Sequence, residues 1–407
     1  MKRIEGGVCA AKGFRAGGIW CGIKASSHKR DVALIYSETA CVSAAMFTAN
    51  RVKSASVMVT QDHCMGGRIR AIIANSGNAN ACTGETGLAA ARQMASLIAD
   101  EFAIQERDVA VASTGVIGVP LPIAAIESEV SALADSLRAD ALGHESALEA
   151  IMTTDTRKKS GAVEIDIGGR SVRIGAMVKG SGMIHPNMAT MLCFITTDAV
   201  IDQAALDASL KATVSVSFNR LTIDGDTSPN DTIIIMANGR AENPKIALVG
   251  EDFALFTSAL RFLCIDLVRQ MARDGEGATK LLTVTVVGAL DEETAEVLAK
   301  SVASSNLVKT AVFGADANWG RVICAIGYAG VPFKLECVDI AFSSRAGGVS
   351  VCKNGQAIPF SEENAKRVLL EDEVEINIRL GDGIGSATVW SCDFSYDYVK
   401  INGDYRT

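Results

Sequence analysis

The 407-residue chain has no Cys-x-x-Cys pair; its eleven cysteines stand singly. An odd, scattered set of thiols excludes a disulfide framework and a structural zinc site, which both need clustered cysteines. No stretch reaches the roughly 18 consecutive apolar residues of a membrane span. The opening Met1-Lys2-Arg3-Ile4-Glu5-Gly6-Gly7 has charge but no apolar region behind it, so no secretion signal is expected. Positive charge is scarce as well: Lys plus Arg number 39 against 47 Asp plus Glu, for a net charge of -8. A nucleic-acid binder displaces counterions with a basic surface, and the short cluster His28-Lys29-Arg30 reads as a solvated turn. No fixed-period repeat and no low-complexity tract interrupts the chain. The expectation is a soluble, reduced, cytoplasmic protein with no metal, nucleic-acid or membrane partner.

Apolar residues make up 48% of the chain and charged residues 21%. At roughly 150 residues per domain this length supports two or three domains and a large core. Short β-rich runs alternate with amphipathic stretches, which predicts an α/β (α+β) architecture. Strands are expected over 31–37, 69–74 and 109–113, a hairpin over 162–167 and 171–179, and further strands over 190–196, 232–237, 281–287, 333–342 and 374–380. Helical spacing marks 84–103, 120–137 and 253–273. Asn75-Ser76-Gly77-Asn78 reads as a turn from strand to helix. Gly381-x-Gly383-x-Gly385 precedes a strand, not a helix, so it is no dinucleotide fingerprint. The glycines near 180 mark either a break between halves or a tight internal turn.

Chemistry concentrates in Lys179-Gly180-Ser181-Gly182-Met183-Ile184-His185-Pro186-Asn187-Met188-Ala189-Thr190-Met191-Leu192. Glycines and a proline precede a strand whose first residue is a threonine. The Thr190 hydroxyl could attack the Ala189 carbonyl, giving an ester that water opens. The freed amine of Thr190 would then serve as base for its own hydroxyl, since an α-amine titrates at roughly 7.7–8.0. By itself the pattern is weak, because a threonine opening a strand is usually just a β-former. Ser181 and His185 suggest a rival hydrolase pair, but no strand–Gly-x-Ser-x-Gly–helix elbow surrounds the serine.

Longer motifs in fixed order add to this. They include Lys12-Gly13-Phe14-Arg15, Phe47-Thr48-Ala49-Asn50-Arg51-Val52, Ala74-Asn75-Ser76-Gly77-Asn78-Ala79-Asn80 and Ser113-Thr114-Gly115-Val116-Ile117-Gly118. Met152-Thr153-Thr154-Asp155-Thr156, Asp224-Gly225-Asp226-Thr227, Asp274-Gly275-Glu276-Gly277-Ala278-Thr279-Lys280 and Gly314-Ala315-Asp316-Ala317-Asn318-Trp319-Gly320-Arg321 follow, with the tail from Asp397 to Thr407. Together they resemble the ArgJ family, the glutamate N-acetyltransferase/ornithine acetyltransferase of arginine biosynthesis. Lys158-Lys159 departs from the family, which commonly has a proline there, and Gly403 stands where alanine is expected.

The resemblance implies a self-cleaving N-terminal-threonine acyltransferase fold of the DmpA/ArgJ-like superfamily, layered αββα. Cleavage between Ala189 and Thr190 would leave an α chain of residues 1–189 and a β chain of the remaining 218, residues 190–407. The second half would carry a smaller subdomain from about residue 285, and the chains would assemble, as α2β2. Thr190 would take acetyl from N-acetyl-ornithine and pass it to glutamate, without a cofactor. Some members also take acetyl from acetyl-CoA, and these residues leave that open here. Thr114 and Gly115 match the family's oxyanion hole. Thr153, Lys179, Thr190, Glu276, Asn402 and Thr407 match its substrate-binding positions, with Thr154 and Thr156 leaving the register of Thr153 open. Two other readings remain: a self-cleaving aminopeptidase or amidohydrolase of the same fold, and a catalytically silent binding protein.

Overall fold

The computed structural model describes residues 1–24, 29–185, 191–381 and 383–404. Its architecture follows from strands that are apolar on both faces. In Thr232–Ala237, Ile233 and Ile235 point into one hydrophobic cluster, while Ile234 and Met236 point into another. Leu192–Thr197 behaves alike: Cys193 and Ile195 go one way, Leu192 and Phe194 the other. A continuous apolar run is what a strand needs when both its faces are covered.

These strands lie in a six-stranded sheet ordered Lys2–Ile4, Lys159–Ile167, Arg170–Lys179, Leu192–Thr197, Thr232–Ala237, Val42–Phe47. Against it stands a four-stranded sheet ordered Phe14–Ile19, Val32–Ser37, Ala71–Asn78, Val109–Val116. Ala33, Ile35, Ile72, Ala74, Ala110 and Ala112 fill the space between the sheets. The alternate residues Val32, Leu34, Ile73 and Val111 instead meet Ala55–Cys64 and Gly84–Phe102, helices on the outer face. Beyond the larger sheet lie the helices Gln203–Ser215 and Glu251–Arg273. The layering is therefore helix, sheet, sheet, helix, the expected αββα order. Glu251–Arg273 shows why: Phe256, Leu260, Leu263, Leu267, Val268 and Met271 are buried at three- and four-residue steps. Glu251 and Asp252 occupy its first turn, where the helix dipole favours negative charge.

A third sheet, ordered Gln356–Ala357, Gly347–Lys353, Asp339–Ser344, Glu373–Arg379, Leu281–Ala289, Gly385–Cys392, has a core of its own. Trp390 and Cys392 join it to the cluster beneath Glu251–Arg273.

Three expectations are corrected. The single helix over 120–137 is two short ones, Ile123–Glu127 and Val130–Asp135, because the chain unwinds at Glu129 while Ile126, Val130 and Leu133 all reach one core. Of 333–342 only Asp339 onward is strand; its antiparallel pairing with Glu373–Arg379 starts with Asp339 opposite Arg379, and Leu335–Cys337 form a 3-10 turn. Asn75 to Asn78 are not a turn but the end of Ala71–Asn78, paired in parallel with Val109–Val116. The glycines near 180 join adjacent antiparallel strands of one sheet, so they form an internal connection. Among the described residues no helix is long and apolar enough to cross a membrane, and the cysteines are free.

Phe256 is fully buried between its helix and the larger sheet. Phe256→Ala is expected to lower stability by about 3–5 kcal/mol, the usual loss for a truncated core aromatic. Urea unfolding checks this, and a variant within 1 kcal/mol of wild type, roughly the scale of a surface change, contradicts the assigned core.

Candidate active site

The chemistry-bearing residues converge where strands of both sheets end. Lys179 closes Arg170–Lys179 and lies opposite Leu192, while Leu192 pairs in parallel with Thr232. Thr114 and Gly115 lie near the end of Val109–Val116 in the other sheet. Buried Lys179 donates from Nζ to Thr114 Oγ1 at 3.2 Å, so two site residues chosen from sequence meet across the sandwich. Gly115 has φ +134°, and a Cβ there would stand 2.3 Å from the Gly77 carbonyl carbon. Only glycine lets these parallel strands approach so closely.

Asp155 organises the approach to Lys179. Its side chain is fully buried and accepts the Gly180 N–H at 2.7 Å, the Thr153 N–H at 3.0 Å and Lys159 Nζ at 2.7 Å. Burial pushes its carboxyl upward, but Lys179 and Lys159 outweigh this and hold it far below the ordinary carboxylate range. Lys159 also pairs with buried Asp274, which accepts the Thr156 hydroxyl and the Arg157 N–H. Burial in turn lowers Lys179 below an ordinary lysine, with Asp155 the largest opposing influence.

A second group lies across the glycine turn. Glu276 N–H donates to Ser181 O at 2.8 Å, and Asn402 Nδ2 donates to Glu276 Oε2 at 2.9 Å. A Cβ on Gly182 would fall 2.3 Å from Glu276 Oε2, so the residue between Ser181 and Met183 leaves that carboxylate its room. Asn402 lies on the helix Tyr396–Asp404, which thus reaches this turn. Thr154 gives its hydroxyl to a bond with Ser181 Oγ at 2.7 Å, and Thr156 binds Asp274. Among the described residues, Thr153 is thus the one of the three threonines whose hydroxyl has no side-chain partner. Ser181 and His185 do not pair; His185 Nδ1 meets Thr222 Oγ1 at 3.1 Å. Ala189, Thr190 and Thr407 lie outside the described residues, as do Pro186 to Met188. Their neighbour Met191 is held firmly: its N–H donates to Asp231 Oδ1 at 3.0 Å and its carbonyl accepts from Thr232 N–H at 3.1 Å. Among the described residues no group of His, Cys, Asp and Glu could hold a metal ion.

The ArgJ family profile matches residues 15–407. The arginine biosynthesis bifunctional protein ArgJ of Caldanaerobacter subterraneus subsp. tengcongensis is 49% identical over 407 residues, covering 100% of both chains. The protein of the same name from Bacillus subtilis is 46% identical over 406 residues, covering 100% of this chain and 98% of its own. The chain belongs to the ArgJ family. A crystal structure of arginine biosynthesis bifunctional protein argJ from Bacillus halodurans, 48% identical, matches with a TM-score of 0.50. That match covers 52% of this chain and 98% of the solved one. As an ArgJ protein the chain is an acetyltransferase of arginine biosynthesis, and the silent binding protein is set aside.

Sequence reasoning missed Asp155, Lys159, Asp274 and Asp231, the buried charges behind the ArgJ motifs. Asp155 and Asp274 lie within the family motifs, yet nothing in their spacing announces that Lys159, four residues after Asp155, joins it to Asp274 over a hundred residues further on. Lys24 was also missed. Its ammonium bonds Met152 O at 2.7 Å, and burial pushes its pKa down to about 8 despite Asp31, with Lys179 adding to the fall.

Asp155→Asn tests the anchor. The folded carboxyl titrates below the unfolded value of about 3.9, so its contribution is complete above that value and is lost as pH falls through the folded one. Urea unfolding at pH 7 should show a loss of about 3–5 kcal/mol for this broken buried pair. The gap to wild type should narrow in strong acid, and equal stabilities at pH 7 contradict the role.

Proposed function

We propose that the chain cleaves itself between Ala189 and Thr190 and then carries acetyl from N2-acetyl-L-ornithine to L-glutamate on the Thr190 hydroxyl. In cleavage the Thr190 oxygen attacks the Ala189 carbonyl, the peptide C–N bond breaks, and water hydrolyses the resulting ester. Ala189 keeps the new carboxylate and Thr190 the new amine. In transfer that amine takes the hydroxyl proton while the oxygen attacks the acetyl carbonyl of the donor. The proton passes to the departing ornithine nitrogen as the amide bond breaks, leaving an acetyl-threonine ester. The glutamate amine then attacks the ester, and N-acetyl-L-glutamate departs.

The observation that carries this reading is the Lys179–Thr114 hydrogen bond. Because the lysine can only donate, Thr114 must accept, and its own O–H is left to face an oxyanion. The buried ammonium adds positive charge at the place where negative charge develops. Gly115, kept free of a side chain by Gly77, supplies a backbone N–H beside it. Thr153, Glu276, Asn402 and Thr407 serve the substrate. Glu276 suits the side-chain amine of ornithine, and Asn402 orients that carboxylate. The matched length supports cleavage too: 52% of this chain accounts for 98% of the solved Bacillus halodurans chain, close to the 218 residues of the proposed β chain. The two chains stay assembled, as α2β2. Relatives bear the word bifunctional in their names, in keeping with acetyl-CoA as a second donor.

Thr114→Val keeps the shape and removes the hydroxyl. It is expected to lower kcat by 10²–10³-fold with little change in KM, the loss of one oxyanion donor. Ornithine release from N-acetyl-ornithine, followed with and without glutamate, measures both constants. Glutamate-dependent release in the wild type, absent in Thr190→Ala, supports transfer. Release indifferent to glutamate identifies a hydrolase, and an active Thr190→Ala variant overturns the mechanism.

A further inference from the structure

A cavity of about 410 Å³ opens between the start of the chain, the helix Ala141–Ile151, the strand Lys159–Ile167 and the helix Glu251–Arg273. Its size falls within the roughly 300–1,000 Å³ of small-molecule sites. Buried Leu148, Val163 and Leu263 form an apolar part of the wall. His144, only 5% exposed, forms another part, and its Nδ1 accepts the Val8 N–H at 3.4 Å. Burial pushes this imidazole down to about 4, with Glu145 opposing and Lys158 assisting, so the ring is neutral and carries its proton on Nε2. The Nε2–H meets no acceptor among the described residues, yet it is not sealed in the core, because the imidazole faces the cavity. A buried donor without an acceptor is costly, so this one favours any guest that supplies an acceptor.

Gly7, in the opening glycine pair, makes room for this ring. It has φ +49°, and a Cβ on it would stand 2.2 Å from His144 Cε1 and 2.3 Å from Nε2. Only glycine leaves the imidazole edge in place. Most charges on the wall are already matched: Arg3 pairs with Asp266 at 2.8 Å, and Lys158 with Glu145 at 3.4 Å. Exposed Glu5 is the one charged side chain of the wall without an ion pair among the described residues. Two groups are thus left for a guest, a carboxylate that takes a cation and a neutral N–H that takes an acceptor.

We propose that this cavity binds a small aliphatic α-amino acid, its ammonium on Glu5, its carboxylate on the His144 Nε2–H, and its alkyl chain against Leu148, Val163 and Leu263. A charged side chain would find its counter-charges engaged in pairs, so an uncharged one suits the wall. The site is separate from the acyl-transfer site, since Lys179, Thr114, Thr153 and Glu276 take no part in its lining. Binding here requires no chemistry at Thr190. The two sites nevertheless share a strand. Lys159 opens Lys159–Ile167 with its ammonium on Asp155 and Asp274. The next residue, Ser160, lines the cavity, and its backbone N–H and carbonyl hold the Gln270 side chain, both at 3.2 Å. An occupant therefore lies against the strand that carries the ionic anchor of the active site.

Isothermal titration of the purified full chain with L-leucine tests this, alongside isocaproate, which lacks the ammonium, and isoamylamine, which lacks the carboxylate. Leucine is expected to bind at one site, with each truncated probe weaker by about ten-fold or more, the loss of one charge-assisted contact. Glu5→Gln and His144→Phe should each weaken leucine by about ten-fold as well. Acetyl exchange measured without leucine should stay at the wild-type rate in both, because neither residue belongs to the acyl-transfer site. Glu5 is exposed, so its variant still decides the matter if phenylalanine does not fit against Gly7. Leucine binding that Glu5→Gln leaves unchanged overturns the inference, as does isocaproate binding as tightly as leucine. Absence of leucine binding up to about 10 mM, weaker than any affinity two charged contacts would leave, overturns it too.

Discussion

One buried carboxylate, Asp155, is the constraint on which the site depends. It fixes the backbone of Thr153 and Gly180, pairs with Lys159, and supplies the main negative charge acting on Lys179. Lys179 in turn reaches Thr114 in the opposite sheet. Two charges removed from water need near-complete hydrogen bonding to persist, and here each carboxylate of the cluster has several donors. The reward is positional: the Lys179 amine is held inside the sandwich, aimed at a hydroxyl in the neighbouring layer.

The αββα frame explains why the site lies where it does. Strands apolar on both faces leave little room for polar groups within the layers, so function collects at strand ends. Four such ends meet here: those of Val109–Val116 and Arg170–Lys179 as they finish, and those of Leu192–Thr197 and Thr232–Ala237 as they begin. The segment after the helix Glu251–Arg273 adds Glu276, bonded to Ser181 of the turn that follows Lys179, and the helix Tyr396–Asp404 adds Asn402. Residues distant in the chain are thus made neighbours by the packing of sheets.

Much of the frame was legible in the sequence. The hairpin over 162–179 and the helix Glu251–Arg273 carried strong periodicity, and both formed within a few residues of expectation. The 120–137 stretch also had helical spacing, but spacing does not reveal that a chain unwinds at Glu129 to serve one core twice. Asn75 to Asn78 looked like a turn because of composition, whereas pairing with Val109–Val116 made them strand. Thr114 and Lys179 could be chosen from family motifs, and they touch. Asp231 could not, since its meaning comes from a hydrogen bond to Met191 forty residues earlier. Lys158-Lys159, a departure from the family pattern, proved informative: Lys159 is buried against two carboxylates.

The central claim is that a peptide bond becomes the catalytic amine. N-terminal sequencing of purified, fully active enzyme tests this most directly. Two amino termini in equal amount are expected, the start of the chain and a second one reading Thr-Met-Leu-Cys-Phe from Thr190. A single terminus, the start of the chain, in protein that exchanges acetyl at full rate would contradict the account.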